Sequence, residues 1–195
     1  MADARRIATD RLLLRRPDAD DLAAYHAVIG EDTDEREHRD AVAHWRAHGF
    51  GPWIVEEPGS HADAGSHADA GDPGDPAHPG DPAHPGDPAH PGRPVGILEV
   101  HYAGPGVTGI EPHEVEIGWT IAEARRGNGL AVEAARAAID DAFEHARPNH
   151  HGWIVAYIRP ENRISQRVAA RIGMRHEADG LTRSGHPMQI WRVHE

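Results

Sequence analysis

Arg126-Gly127-Asn128-Gly129-Leu130-Ala131 is the stretch from which the rest of the chain can be read. Before it, Val115, Ile117, Trp119 and Ile121 alternate with other residues, the period-two pattern of a strand. After it, Ala131, Ala135, Ala138, Ile139, Ala142 and Phe143 recur at helical spacing. A strand therefore runs through a glycine-containing turn into a helix. Such a turn aims unpaired backbone N–H groups and the positive helix end at one spot, where a phosphate binds. The glycines permit positive φ and close approach of a ligand to the backbone, and Arg126 adds a fixed charge with a planar fork of donors. A Gly pair between strand and helix can also be only a tight connection.

Two familiar phosphate loops are excluded. No Gly-Lys-Ser/Thr follows, so this is not a metal-nucleotide P-loop. The third glycine of the dinucleotide fingerprint has no match either. Downstream, Gly152 to Ile158 reads as a buried strand, followed by Arg159-Pro160-Glu161-Asn162-Arg163-Ile164-Ser165. Ile164, Val168 and Ile172 recur every four residues, which predicts a short helix from near Asn162 to Gly173. Asn162 suits its N-cap and Gly173 its C-terminal stop.

Working outward, Ile7 to Arg15 reads as a strand, Asp18 to Ile29 as a helix begun by acidic residues, and Glu35 to His48 as a second helix. Gly51 to Glu57 and Pro94 to Ala103 read as two strands of a hairpin. His113 to Ile121 is the strand that feeds the glycine loop. A last strand falls near Met188 to His194. This order predicts an α/β sandwich around a mixed sheet of six to seven strands.

The hairpin tip holds an insertion. Gly59-Ser60-His61-Ala62-Asp63-Ala64 repeats at 65–70, and Gly-Asp-Pro-Ala-His-Pro occurs at 74–79, 80–85 and 86–91. Residues 59–92 contain no Val, Ile, Leu or aromatic residue, so they have nothing to bury against the entropy of ordering. An extended, Pro-rich, disordered segment is expected, not a solenoid, which needs an aliphatic residue in every turn. Its histidines would be metal ligands without support from neighbouring groups, so no metal is expected to be required.

Setting those 34 residues aside leaves 161 of 195, the size of one compact domain over residues 1–195. Six aspartates of the insertion carry half of the formal charge of −12, and the remainder is ordinary for an acidic protein. That balance argues against nucleic acid as a partner. With no cysteine there is no disulfide frame and no thiolate nucleophile. No apolar run approaches membrane length and no hydrophobic signal region opens the chain, so a cytoplasmic location off the membrane is expected.

Several of these motifs occur together, in the same order, in one known group of enzymes. Arg126 to Ala131 resembles the Arg/Gln-x-x-Gly-x-Gly/Ala pyrophosphate loop of the GNAT acetyltransferase superfamily, and Glu116 to Ile121 resembles the strand before it. Thr9 to Arg15 with Asp18 to Asp21, Glu133-Ala134-Ala135, Ala142-Phe143, and Asn162-x-x-Ser165 with Gly173-Met174 are similar to the ribosomal-protein N-terminal acetyltransferase (Rim-type) branch. The resemblance spans the chain outside the insertion. It implies a three-layer fold with a mostly antiparallel central sheet, and acetyl-CoA as co-substrate in a notch between the strands flanking the loop. The pantetheine arm would pair with the backbone of Trp119, Thr120 and Ile121. The pyrophosphate would sit on the amides of Arg126, Gly127, Asn128, Gly129, Leu130 and Ala131. Asn162 matches the family residue that reaches the pantetheine chain, and capping is compatible with that role.

Transfer to an amine requires the neutral nucleophile, whereas a lysine ε-amine has pKa about 10.4 and an α-amine about 8. A base, directly or through water, is expected. Glu116 is the first candidate, because its strand passes the thioester and it faces away from Val115 and Ile117. Glu114, His113 and Glu111 are alternatives. Ser165 is the candidate donor to the departing thiolate because the Rim-type branch has serine there, with Tyr157 on the preceding strand as the alternative. The acidic loop Glu31 to Glu35 suits a cationic acceptor: a protein N-terminus, a polyamine or an aminoglycoside. A monomer or homodimer is expected. Two other functions compete: an acyl-CoA-binding module without transfer, and a metal-handling protein built on the 17 histidines.

Overall fold

The structure, a computed structural model, describes residues 5–30, 35–59, 92–104, 106–111, 113–146 and 152–195. Strands β1 (Arg6–Ala8) and β2 (Leu13–Arg15) are followed by helices α1 (Leu22–Ile29) and α2 (Glu35–His48). Then come β3 (Trp53–Glu57), β4 (Arg93–Tyr102), β5 (Val115–Ile121), α3 (Leu130–His145), β6 (Trp153–Ile158), α4 (Arg163–Arg171), β7 (Arg175–Leu181) and β8 (Pro187–His194). The strands form one sheet in the order β1-β2-β3-β4-β5-β6-β8-β7. Only β5 and β6 are parallel neighbours.

This is the expected mixed, mostly antiparallel sheet, with eight strands in place of six to seven. The extra strand arises because Ile7 to Arg15 is a tight hairpin and not one strand. Thr9 donates its backbone N–H to the Leu12 carbonyl, and the Leu12 N–H returns to Thr9 Oγ1. A threonine side chain that binds nearby backbone competes with the strand ladder in this way. Helix α1 likewise starts at Leu22 and not at Asp18. The Asp21 carboxylate is held by both Arg15 Nη atoms and by the Asp18 N–H, which closes a turn ahead of the helix. The glycine-loop strand begins at Val115, since His113 lies at φ 70°, outside strand geometry.

Two apolar layers hold the sheet. On one face Leu98, Val100, Ile117 and Ile154 pack with Ala134, Ala138 and Ile139 of α3 and with Ala169 of α4. The alanines of α3 let the helix lie close to the strands. On the other face Ile54 and Ile97 meet Ala24, Tyr25 and Val28 of α1 and Ala41 of α2. The sheet is therefore sandwiched between helices, the three-layer arrangement expected.

β3 and β4 are antiparallel, with Glu57 opposite Arg93 as the last pair, so the insertion does sit at a hairpin tip. Residues 60–91, on which the expectation of disorder rests, lie outside the described residues. The acidic loop also falls largely outside them, at 31–34.

Candidate active site

The parallel pairing of β5 with β6 covers only two positions, Val115 with Ile154 and Glu116 with Val155. Beyond Glu116 the two strands diverge. Ile117 to Ile121 stay paired to β4 on one side and have no strand partner on the other. That leaves a cleft, and two adjoining cavities occupy it. One, of about 510 Å³, lies between Trp119–Ile121, the glycine loop and the start of α4. The other, of about 320 Å³, lies further along β5 and β6 beside Glu116, Glu99 and Tyr157. Trp119, Thr120, Asn162 and Ser165 line both, so the two cavities meet at the first turn of α4.

The larger cavity suits an anionic, extended ligand. Gly127 and Gly129 stand at φ 83° and 79°, the left-handed region in which a Cβ is disfavoured, and Gly129 caps α3. The N–H groups of Gly127, Asn128, Gly129, Leu130 and Ala131 find no acceptor among the described residues. They face the open loop at the positive end of a sixteen-residue helix. Arg126 donates Nε to the Ile121 carbonyl at 2.9 Å, which ties the loop to the end of β5. Arg125, Arg126, Arg167 and Arg171 surround the cavity. Arg125 is paired with Glu57.

A brace holds this loop from behind. Glu133 accepts from Thr9 Oγ1 at 2.6 Å and from Arg11 Nε at 2.7 Å, while Arg11 Nη1 donates to the Asn128 carbonyl at 3.0 Å. Burial alone would raise the Glu133 pKa; the bonds from Thr9 and Arg11 outweigh it and hold the carboxyl below its usual range.

Asn162 is the N-cap of α4, its Oδ1 accepting from the Ser165 N–H at 3.0 Å. The capping role foreseen for it is real, and the residue also borders both cavities. Gly173, at φ 91°, ends the helix. No hydrogen bond of the Ser165 hydroxyl is made to any described residue.

In the smaller cavity Glu116 is 6% exposed, and its Oε2 is fully buried without a hydrogen-bond partner. Burial, the largest influence, pushes its pKa up. The charge of His101 and the hydroxyl of Tyr157 pull it down, and Glu99 pushes it further up. Tyr157 in turn is held well above an ordinary phenol by burial and by Glu116 and Glu99, so it stays protonated. The cavity thus gathers a carboxyl of raised proton affinity, a phenol and a free serine hydroxyl.

The other base candidates lie elsewhere. Glu114 has a fully buried side chain and accepts from Arg192 at 3.2 Å and from the Glu111 N–H at 3.1 Å. It holds β8 to the loop before β5. His113 is exposed, with its ring 5.8 Å from that of Tyr102, and Glu111 is exposed in the same loop. None of the three borders either cavity. Sequence reasoning missed Arg167, although its spacing of four from Arg171 on α4 was visible. It also missed Glu99 and His101 of β4, for which no motif exists: only the sheet register places them beside Glu116.

The sequence of residues 11–175 matches the family described as "Acetyltransferase (GNAT) domain". A Bacillus subtilis (strain 168) relative, the uncharacterized protein YkkB, is 36% identical over 92 residues, 44% of this chain and 51% of that protein. The match thus spans about half the length of that relative. Among solved structures, a GNAT-family acetyltransferase from Bordetella pertussis described as putative superposes with TM-score 0.67 at 21% identity, covering 96% of this chain and 98% of the other. Mycobacterium smegmatis RimJ in complex with CoA-disulfide superposes with TM-score 0.59 at 18% identity, over 94% and 81% of the two chains. No helix among the described residues is long and apolar enough to cross a membrane.

Proposed function

We propose that this chain, which belongs to the GNAT acetyltransferase family, is an N-acetyltransferase that moves an acetyl group from acetyl-CoA to a primary amine. The observation that carries this reading is the divergence of β5 and β6 after Glu116. One cleft then has unpaired loop amides at one end and, at the other, a buried carboxyl whose Oε2 has no partner among the described residues. RimJ, solved with a CoA-disulfide, supports a coenzyme A ligand in the same fold.

The chain's groups divide the work. Amides of Gly127 to Ala131 and the guanidinium of Arg126 hold the pyrophosphate. The free edge of Trp119 to Ile121 pairs with the pantetheine amides as an added strand would. Asn162 and Ser165 stand where the two cavities meet, beside the reacting carbonyl. Acetyl-CoA supplies the thioester: the amine nitrogen bonds to its carbonyl carbon and the carbon–sulfur bond breaks. Glu116 takes the proton that the amine must lose, and its raised affinity for a proton matches that task better than an ordinary glutamate. Ser165, whose hydroxyl is free, gives the departing thiolate its proton; Tyr157 is the second donor in reach of the same cavity. A backbone N–H on β5 steadies the oxyanion. Glu99 and Glu116 make the acceptor end acidic, which favours a cationic amine such as a peptide N-terminus or a small polyamine.

The test combines calorimetric titration with acetyl-CoA and a thiol-release screen over peptides, polyamines and amino sugars. Binding with amine-dependent release of coenzyme A is expected. Binding without release on any amine would leave an acyl-CoA-binding module, and Zn²⁺ binding without acetyl-CoA binding would favour the metal-handling reading.

A further inference from the structure

A base that takes a proton must be emptied before it can act again. Glu116 Oε2 reaches neither solvent nor a partner. Across the β4–β5 ladder, His101 is the direct register partner of Glu116. Paired side chains share one face of the sheet, with Cβ atoms about 5 Å apart. The ring of His101 is also oriented. Its Nδ1 lies 3.1 Å from the Tyr102 carbonyl oxygen. A carbonyl only accepts, so Nδ1 carries the hydrogen and Nε2 of the neutral ring keeps a free lone pair. His101 itself is half-buried and reaches water.

Charged and titratable groups surround it. From β5 comes Glu116, from its own strand the exposed Glu99, and from β6 Tyr157, which faces Glu116. From α2 comes His44, with ring centroids 6.4 Å apart, and beyond it the exposed His48, 4.4 Å from His44. Burial first, and then His48 and His101, push His44 down to about 4, so at neutral pH it carries no charge to oppose one on His101. His113 touches Tyr102 on the far side.

We propose that His101 empties Glu116: the proton taken from the amine passes from the Glu116 carboxyl through an intervening water to His101 Nε2, and from there to bulk water. The Glu116 O–H bond breaks, the N–H bond forms, and the imidazolium then releases the proton to solvent, leaving both groups as they began. His101 acts through Glu116 and does not touch the acceptor. This inference rests on Glu116 being the base.

The experiment reads the pair directly, in the full chain without ligand. In ¹⁵N-histidine spectra, assigned with His101→Gln, neutral His101 is expected as the Nδ1–H tautomer. In turnover, His101→Gln should move the acid limb of the kcat/KM profile to higher pH, since the His101 charge favours ionised Glu116. The solvent isotope effect on kcat should also rise, with acetyl-CoA affinity unchanged. A more conservative variant, His101→Asn, guards against misfolding and should behave alike. An Nε2–H tautomer or a superimposable pH profile would overturn the inference. Full turnover in Glu116→Gln would instead sink the base reading, while the spectra would still report the His101 tautomer.

Discussion

The two ends of the cleft are built in opposite ways. The glycine-loop end is made of backbone from one continuous run, Arg126 to Ala131, whose amides from Gly127 onward are left over by the geometry of a strand-to-helix turn, the Arg126 amide being bonded to the Glu123 carbonyl. The other end is made of side chains from three strands and a helix: Glu99 of β4, Glu116 of β5, Tyr157 of β6 and Ser165 of α4. A backbone site tolerates many side chains but few changes of φ. A side-chain site tolerates backbone variation but loses its chemistry with one group. Binding should therefore fail through the loop, and turnover through the cavity.

The sharpest break in that contrast is Glu116→Gln. Turnover should fall by about 10²-fold or more with acetyl-CoA affinity unchanged, because the variant loses the base and keeps the loop. The deficit should shrink at high pH, where the free amine is already abundant. With Glu116 as the proposed base, activity of the unmodified chain should be lost as pH falls through the Glu116 pKa. Because that pKa is raised, the acid limb should lie above the ordinary glutamate value of about 4.3. A kcat profile with wild-type turnover in Glu116→Gln would move the role to water.

At the opposite end, Gly129→Val and Arg126→Glu should each weaken acetyl-CoA by about tenfold, roughly 1.4 kcal/mol. The first forces a β-branched residue into φ 79° beside the ligand. The second exchanges a donor that anchors the loop to Ile121 for a repelling charge. Calorimetry on the folded variants checks both, and undiminished affinity would remove the loop from the site.

A smaller effect sharpens the same point from behind the loop. Arg11→Ala removes the guanidinium's hydrogen bond and ion pair with Glu133 and its bond to the Asn128 carbonyl, and leaves the backbone N–H bond to Glu133 in place. Its side chain is half exposed, so the loss in stability should be no more than about 1 kcal/mol, read as a drop in Tm of a few degrees. Acetyl-CoA affinity should fall about two- to threefold, since the loop amides lose their brace. A change in turnover alone, without a change in affinity, would contradict the division between the two ends.

The smallest effect is expected from replacing 59–92 by a short Gly-containing turn. The hairpin that carries it closes with Glu57 opposite Arg93, and closure entropy grows only logarithmically with loop length. Acetyl-CoA affinity and turnover should stay level, and stability should rise by about 1–2 kcal/mol in chemical denaturation. A changed KM with altered salt dependence would tie the acidic repeat to acceptor capture, and loss of soluble protein would make it structural.

Local pattern alone determined much of this protein. Alternation marked β5, helical spacing marked α3, and the glycines between them marked a phosphate-sized gap in backbone bonding; all of these depend on residues adjacent in the chain. Asn162 capping and the hairpin around the insertion were legible for the same reason. Tertiary structure decided what depends on strand register and on competition between side chains. Thr9 broke the first strand by bonding Leu12, and Asp21 delayed α1 by bonding Arg15. Glu114 and Glu116 differ by two positions on one chain, yet one is spent on Arg192 and the other lines the cavity beside Tyr157. His101 lies fifteen positions before Glu116 and acquires its neighbour only when β4 and β5 align. Sequence carries the period of a strand, but the pairing that sets side chains face to face is fixed by packing the whole sheet between its helices.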